Sequence, residues 1–118
     1  MRVMFIVKSD HAGPPPPRLL AAMHELADRE TKAGRMLDKG GLMPLSTGAQ
    51  VRLVGGRLTV LDGPFAEAKE VIGGYAVFEL RDKDEALASA KEFMQLHLDL
   101  FPGWEGTCEL RLFAPRAD

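Results

Sequence analysis

Tyr75-Ala76-Val77-Phe78-Glu79-Leu80, followed at once by Arg81-Asp82-Lys83-Asp84, decides how this chain is read. The first six residues alternate, with Ala76, Phe78 and Leu80 on one face and Tyr75 and Val77 on the other, which is the two-residue period of a β-strand. Asp82 or Asp84 then offers a carboxylate to the free N–H groups at the start of a helix. That helix is expected to reach about Leu100, where Pro102-Gly103 stops it, and Cys108 to Phe113 forms a last strand. At 100° per residue, Leu87, Ala90, Phe93, Met94, Leu98 and Phe101 mark its buried arc, and His97 falls near the middle.

The same pattern holds toward the N-terminus. Val3 to Val7 is apolar throughout and reads as a strand buried on both faces. Asp10-His11-Ala12-Gly13 and Pro14 to Pro17 break it, and the prolines form a stiff connector whose last member suits the first turn of a helix. Leu19, Met23, Leu26, Ala33 and Leu37 recur at three- and four-residue spacing, so a helix is expected from about Arg18 to Leu37, with Gly34 on its stripe and Gly40-Gly41 at its end. Glu30 interrupts this apolar arc and, if buried, needs a partner or a raised pKa; Arg52 and a second copy of the chain are candidates, and the alternative is that the helix ends its burial early. Pairing with His97 is disfavoured, because antiparallel helices put the two at heights roughly 10 Å apart.

Between these halves, Ala49 to Val54 and Arg57 to Leu61 form a hairpin about Gly55-Gly56, a turn that needs positive φ at both positions. Asp62-Gly63-Pro64-Phe65 leads out of it, and Gly73-Gly74 allows a bulge or a close approach of backbone to a ligand before the next strand. Strand, helix, hairpin, strand, helix, strand is an α+β order, expected to be ferredoxin-like with an extra hairpin, over a single domain spanning 1–118. Two helices cover only one face of such a sheet. The other face, with Tyr75, Val77 and Phe113, must also meet apolar surface, and a second copy supplies it most simply, so a homodimer is expected.

Composition excludes several functions. Fifteen Lys and Arg against 17 Asp and Glu give a net charge of −2, which argues against direct nucleic-acid binding through bulk charge. No apolar run approaches the ~20 residues of a membrane span. Met1 to Lys8 is too short for a secretory leader, so the cytoplasm is the expected compartment. A single cysteine, Cys108, forms no internal disulfide and lies in a strand as a buried, inert residue. No glycine-rich phosphate loop, paired-histidine metalloprotease motif or nucleophile elbow is present, and no cofactor or metal is expected.

The block Asp62-Gly63-Pro64-Phe65-Ala66-Glu67-Ala68-Lys69-Glu70-Val71-Ile72-Gly73-Gly74-Tyr75 closely resembles the DGPF-domain proteins of the YCII-related family. Lys32-Ala33-Gly34, Gly41-Leu42-Met43-Pro44-Leu45-Ser46 and Val51-Arg52 agree with it. The resemblance implies a ferredoxin-like fold that pairs sheet to sheet as a dimeric α+β barrel, in a bacterial cytosolic protein often encoded beside an extracytoplasmic-function sigma factor. It implies no single activity: relatives are associated with acid–base chemistry by a His–Asp pair, and some resemble dehydrochlorinases or lactone isomerases of aromatic degradation. Of that pair only the Asp carries over, onto Asp62. Met23 falls near the position of the His.

Asp62 is thus the leading candidate for a general base, provided burial raises its pKa. Equally, Asp before Gly-Pro is ordinary turn chemistry. Gly63, Phe65, Glu67, Lys69, Glu70 and Tyr75 are the candidate ligand-binding residues around it. His97 is the second catalytic candidate, since burial would keep it neutral as a base requires. His24 lies off the apolar arc and faces solvent, and His11 follows the first strand. Three functions remain open at this point: a dimer whose cleft binds a small organic molecule and moves a proton without a cofactor, a non-catalytic accessory module for a sigma factor, or a pseudo-enzyme that keeps the fold and binds a metabolite as a sensor.

Overall fold

The computed structural model describes residues 1–10, 13–63 and 70–115. Its elements are β1 (Arg2–Ser9), α1 (Pro17–Lys32), β2 (Met36–Gly41), a 3-10 turn (Leu45–Thr47), β3 (Ala49–Val54), β4 (Arg57–Asp62), β5 (Val71–Glu79), α2 (Lys83–Leu100) and β6 (Gly106–Leu112). One sheet has the order β2-β5-β1-β6, with every neighbouring pair antiparallel. The hairpin β3-β4 is a separate two-stranded sheet inserted between β2 and β5. With it set aside, the remaining β-α-β-β-α-β order is an α+β arrangement compatible with a ferredoxin-like fold.

The second strand of the sheet is therefore β2, a segment expected to be the end of the first helix. The cause lies at Gly34. Its φ of +78° is left-handed, the Gly34 N–H donates to the Thr31 carbonyl (3.0 Å), and the Arg35 N–H reaches back to that of Glu30 (3.0 Å). This paired closure ends a helix and reverses the chain. Leu37, which fits the helical stripe by spacing, instead lies in β2 with 48% exposure.

Several other expectations hold. Pro17 is the first residue of α1, and Asp82 caps α2 by accepting from the Glu85 N–H at 2.9 Å. Gly55 and Gly56 have φ of +59° and +75°, as a two-residue hairpin turn with right-handed strand twist requires. Between Val7↔Gly74 and Lys8↔Ile72 the register skips Gly73, the expected bulge.

The core lies between the helices and one face of the sheet. Val3, Phe5, Phe78, Leu80, Ala86 and Ala90 form it, with Phe5 and Phe78 stacked at 4.8 Å between ring centroids. On α2 the buried residues are Ala86, Ala90 and His97, whereas Leu87 and Leu98 are exposed at 39% and 75%. The buried arc is rotated from the expected one because the two alanines let the helix lie close on the sheet. The opposite face carries Met4 and Ile6 across from Val77 and Tyr75, all half-buried. Ions ring this patch: Lys8 pairs with Glu109 at 2.8 Å, Arg111 with Glu109 at 3.2 Å, and the N-terminal ammonium with Glu79 at 2.8 Å.

Glu30 is buried, at 4% exposure, and its partners are Arg35 (2.6 and 3.0 Å) and Arg29 (3.2 Å). Neither Arg52 nor a second copy is needed. The helix closure at Gly34 brings Arg35 back over the carboxylate, and bonding to Arg35 holds Glu30 below the usual carboxylate range.

Candidate functional site

The site is built around Gly106, the first residue of β6. A Cβ there would run into the Trp104 ring and the Lys8 carbonyl, so glycine lets the indole fold back against the strand end. The preceding bend is fixed by Gly103, φ +81°, and by the Trp104 N–H donating to the Phe101 carbonyl at 3.1 Å. Trp104 is thereby laid against the last turn of α2, its ring 4.4 Å from that of His97. The ring of Phe93, one turn earlier on α2, also contacts the imidazole, at 4.7 Å between centroids.

His97 is 7% exposed, and its Nδ1 lies 3.1 Å from the Phe93 carbonyl oxygen. A carbonyl only accepts, so Nδ1 carries the proton and donates it, leaving the lone pair on Nε2. Burial pushes the imidazole below its ordinary value, with the bond to Phe93 opposing. The ring is therefore neutral at pH 7, in one defined tautomer.

His97 and Trp104 line a cleft of about 550 Å³, whose lining also includes Met94, Leu98, Asp10, Glu70 and Glu105. Three carboxylates and no Lys or Arg line it among the described residues. Thr107 donates to Glu70 at 3.4 Å, and Ser9 donates to the Glu105 carbonyl at 2.9 Å, which ties the end of β1 to the loop before β6. Neutral base, aromatic wall and acidic rim are thus gathered at one end of the molecule.

Of the residues expected from sequence to form a site, the structure brings His97 and Glu70 together here. Asp62 lies elsewhere, paired with Ala49 at the end of β4 and exposed. The burial on which its role as a base depends is not provided within this chain. Gly63 is structural, because its N–H donates to the Gly48 carbonyl at 2.9 Å and a Cβ would collide with the Leu45 carbonyl. It closes the base of the hairpin. Tyr75 is on the open sheet face, where its hydroxyl donates to Asp38 at 3.1 Å, and this bond raises the phenol pKa. Gly40 opposite leaves room for the ring. Phe65, Glu67 and Lys69, like His11, lie outside the described residues.

His24 is exposed, as its helical angle indicates. Cys108 is half-buried, and desolvation pushes its thiol up to about 11. No three His, Cys, Asp or Glu side chains among the described residues are placed to hold one metal ion together, and no helix among them is long and apolar enough to cross a membrane. Sequence reasoning missed Trp104 and Asp38. For Trp104 a signal existed: the chain's single tryptophan stands between Gly103 and Gly106, where the backbone has room for it.

Comparison with known proteins gives two findings. The family model of the YCII-related domain matches residues 1–95. An uncharacterised protein of Rhizobium meliloti (strain 1021) is 31% identical over 75 residues, covering 64% of this chain. The chain spans about 60% of that relative's length. With a family model covering most of its length, and the fold compatible with the expected one, the chain belongs to the YCII-related domain family.

Proposed function

We propose that this protein binds a small ring compound in the His97–Trp104 cleft and moves a proton there without a cofactor, with Nε2 of His97 as the base. The single observation that carries this reading is the tautomer fixed by the Phe93 carbonyl. It leaves an unprotonated nitrogen on a ring whose burial keeps it neutral. A cleft of about 550 Å³ falls within the usual small-molecule range of ~300–1,000 Å³. The indole of Trp104 offers a stacking wall. The carboxylates Asp10, Glu70 and Glu105 favour a neutral or cationic compound over an organic anion.

In this reading the open face of the sheet, with Met4, Ile6, Tyr75 and Val77 at its centre, is covered by the same face of a second copy, as in a dimeric α+β barrel. The protein then works as a bacterial cytoplasmic dimer.

Trp104 is the chain's only tryptophan, so its fluorescence reports on the cleft directly. Titration with a panel of lactones, phenols and aromatic amines is expected to change the emission saturably for at least one class, and His97→Gln is expected to lower that affinity. Saturable binding that His97→Gln leaves unchanged would remove His97 from the site. An unaltered emission across the whole panel would count against the cleft as a ring-binding site.

A further inference from the structure

The hairpin β3–β4 has a problem that the small-molecule reading does not touch. All twelve of its residues are exposed, although more than half of them are aliphatic. The register puts Val51 opposite Val60 and Leu53 opposite Leu58, so these four share one face. Their exposures are 69%, 68%, 71% and 71%. Gln50, Arg52, Arg57 and Thr59 stand on the other face, with Val54 and Leu61 at its ends. This is the alternation of a hairpin with one face in water and one face packed, and the packed face has nothing against it among the described residues.

The dimensions indicate how much surface awaits a partner. The chain exposes 8676 Å², whereas a compact monomer of 12.9 kDa exposes about 6,300 Å². Its radius of gyration is 16.3 Å, against about 13.5 Å for a compact domain of this length. The extents of 45 × 44 × 20 Å describe a flattened body. The excess of about 2,400 Å² is what one protomer of a large obligate homodimer buries. Four half-buried side chains on the open sheet face fall well short of that figure. The hairpin, exposed along its whole length, is a further apolar surface that adds to it.

We propose that the hairpin is an arm that packs its Val51–Leu53–Leu58–Val60 face onto a second copy of this chain. These four positions carry no charge or polar group, and the one carboxylate on the face, Asp62 opposite Ala49, stands at its base, so the apolar stretch is of the kind that obligate self-interfaces bury. The arm shares with the sheet-face reading only its partner, and it is tested apart from it.

The test is sedimentation of full-length chains by analytical ultracentrifugation from about 0.1 to 100 μM. Wild type is expected to be dimeric at micromolar concentration. Leu53→Lys combined with Leu58→Glu places opposite charges across the strand pair, which keeps the hairpin paired while removing its apolar face. It is expected to weaken association at least 100-fold. Val51→Thr with Val60→Thr, which keeps β-branched residues in both strands, is expected to weaken it in the same direction. Gln50→Lys with Thr59→Glu alters the outer face and is expected to dimerise as wild type does. Ile6→Asp reports on the sheet face separately, so loss of one contact is distinguished from loss of the other. Circular dichroism checks that each variant keeps its fold. A wild type monomeric at 100 μM would overturn the proposal and return the face to a different protein, such as a sigma factor. So would a dissociation constant that both hairpin-face pairs leave unchanged.

Discussion

Burial of His97 makes a prediction that pH alone can test. Its imidazole is pushed below the ordinary 6.5, so on acidification the unfolded chain binds a proton before the folded chain does. The stability linked to this group is therefore full above pH 6.5. It declines as pH falls from 6.5 to the folded value and levels off below it. One proton sets a ceiling on the slope of about 1.4 kcal/mol per pH unit. An unfolding entropy of ~2.1 cal/mol/K per residue over the 118 residues makes this about 6 °C in Tm per pH unit at most. The experiment is Tm against pH from 8 to 5 for wild type and His97→Phe, which keeps an aromatic ring against Phe93 and Trp104. Every other ionisable group is common to both proteins, so the difference curve isolates His97. It should be flat above pH 6.5 and fall with the wild type below it. An NMR titration of the His97 Cε1–H should place the folded midpoint below 6.5. Parallel Tm curves, or a midpoint at or above 6.5, would refute the account of a neutral buried base.

Other groups give sharper local tests. Glu30 titrates below the usual 4.5 because Arg35 and Arg29 donate to it, so its contribution is present above pH 4.5 and is lost as pH falls through the lower folded value. Glu30→Gln should lower Tm at pH 7 and flatten the acid limb of the stability curve. Phe78, 4% exposed and stacked on Phe5, should cost about 3–5 kcal/mol when cut to alanine, read by urea unfolding. Gly63→Ala, whose Cβ meets the Leu45 carbonyl, should speed amide exchange in β3 and β4 at least several-fold while leaving β1 and β5 protected. The Cys108 thiol, pushed up to about 11 by burial, should react with a disulfide reagent at pH 7 at least ~100-fold more slowly in the native protein than in denaturant.

Local chemistry explains which parts of the fold were legible. The hairpin was readable because two adjacent glycines between alternating strands admit few conformations. The cap at Asp82 and the bulge at Gly73 were readable for the same reason, since each depends on near neighbours. Strand β2 was not. Met36-Leu37-Asp38-Lys39-Gly40-Gly41 has no β-branched residue, and Leu37 continues the helical spacing of Leu19, Met23 and Leu26. What ends the helix is the left-handed Gly34, and a glycine on a helical stripe reads equally well as a site of close packing.

The candidate site divides along the same line. His97 was identifiable from its angle on α2, and its neutrality follows from burial alone. Its tautomer depends on the Phe93 carbonyl, and the carboxylates of its cleft include two from parts of the chain far from it in sequence. Asp10 follows β1, Glu70 precedes β5, and Trp104 lies beyond α2. Asp62, prominent in sequence, stands exposed at the end of β4, and Gly63 beside it is required by the Leu45 carbonyl. Periodicity and turn chemistry in the sequence by themselves determined two helices, an antiparallel α+β order and a hairpin, because those features depend on contacts between near neighbours. Tertiary structure alone decided that Asp10 and Glu70 stand at the cleft of His97 and Trp104, and that the hairpin's apolar face stands uncovered among the described residues, because each depends on how segments far apart in the chain are brought together in space.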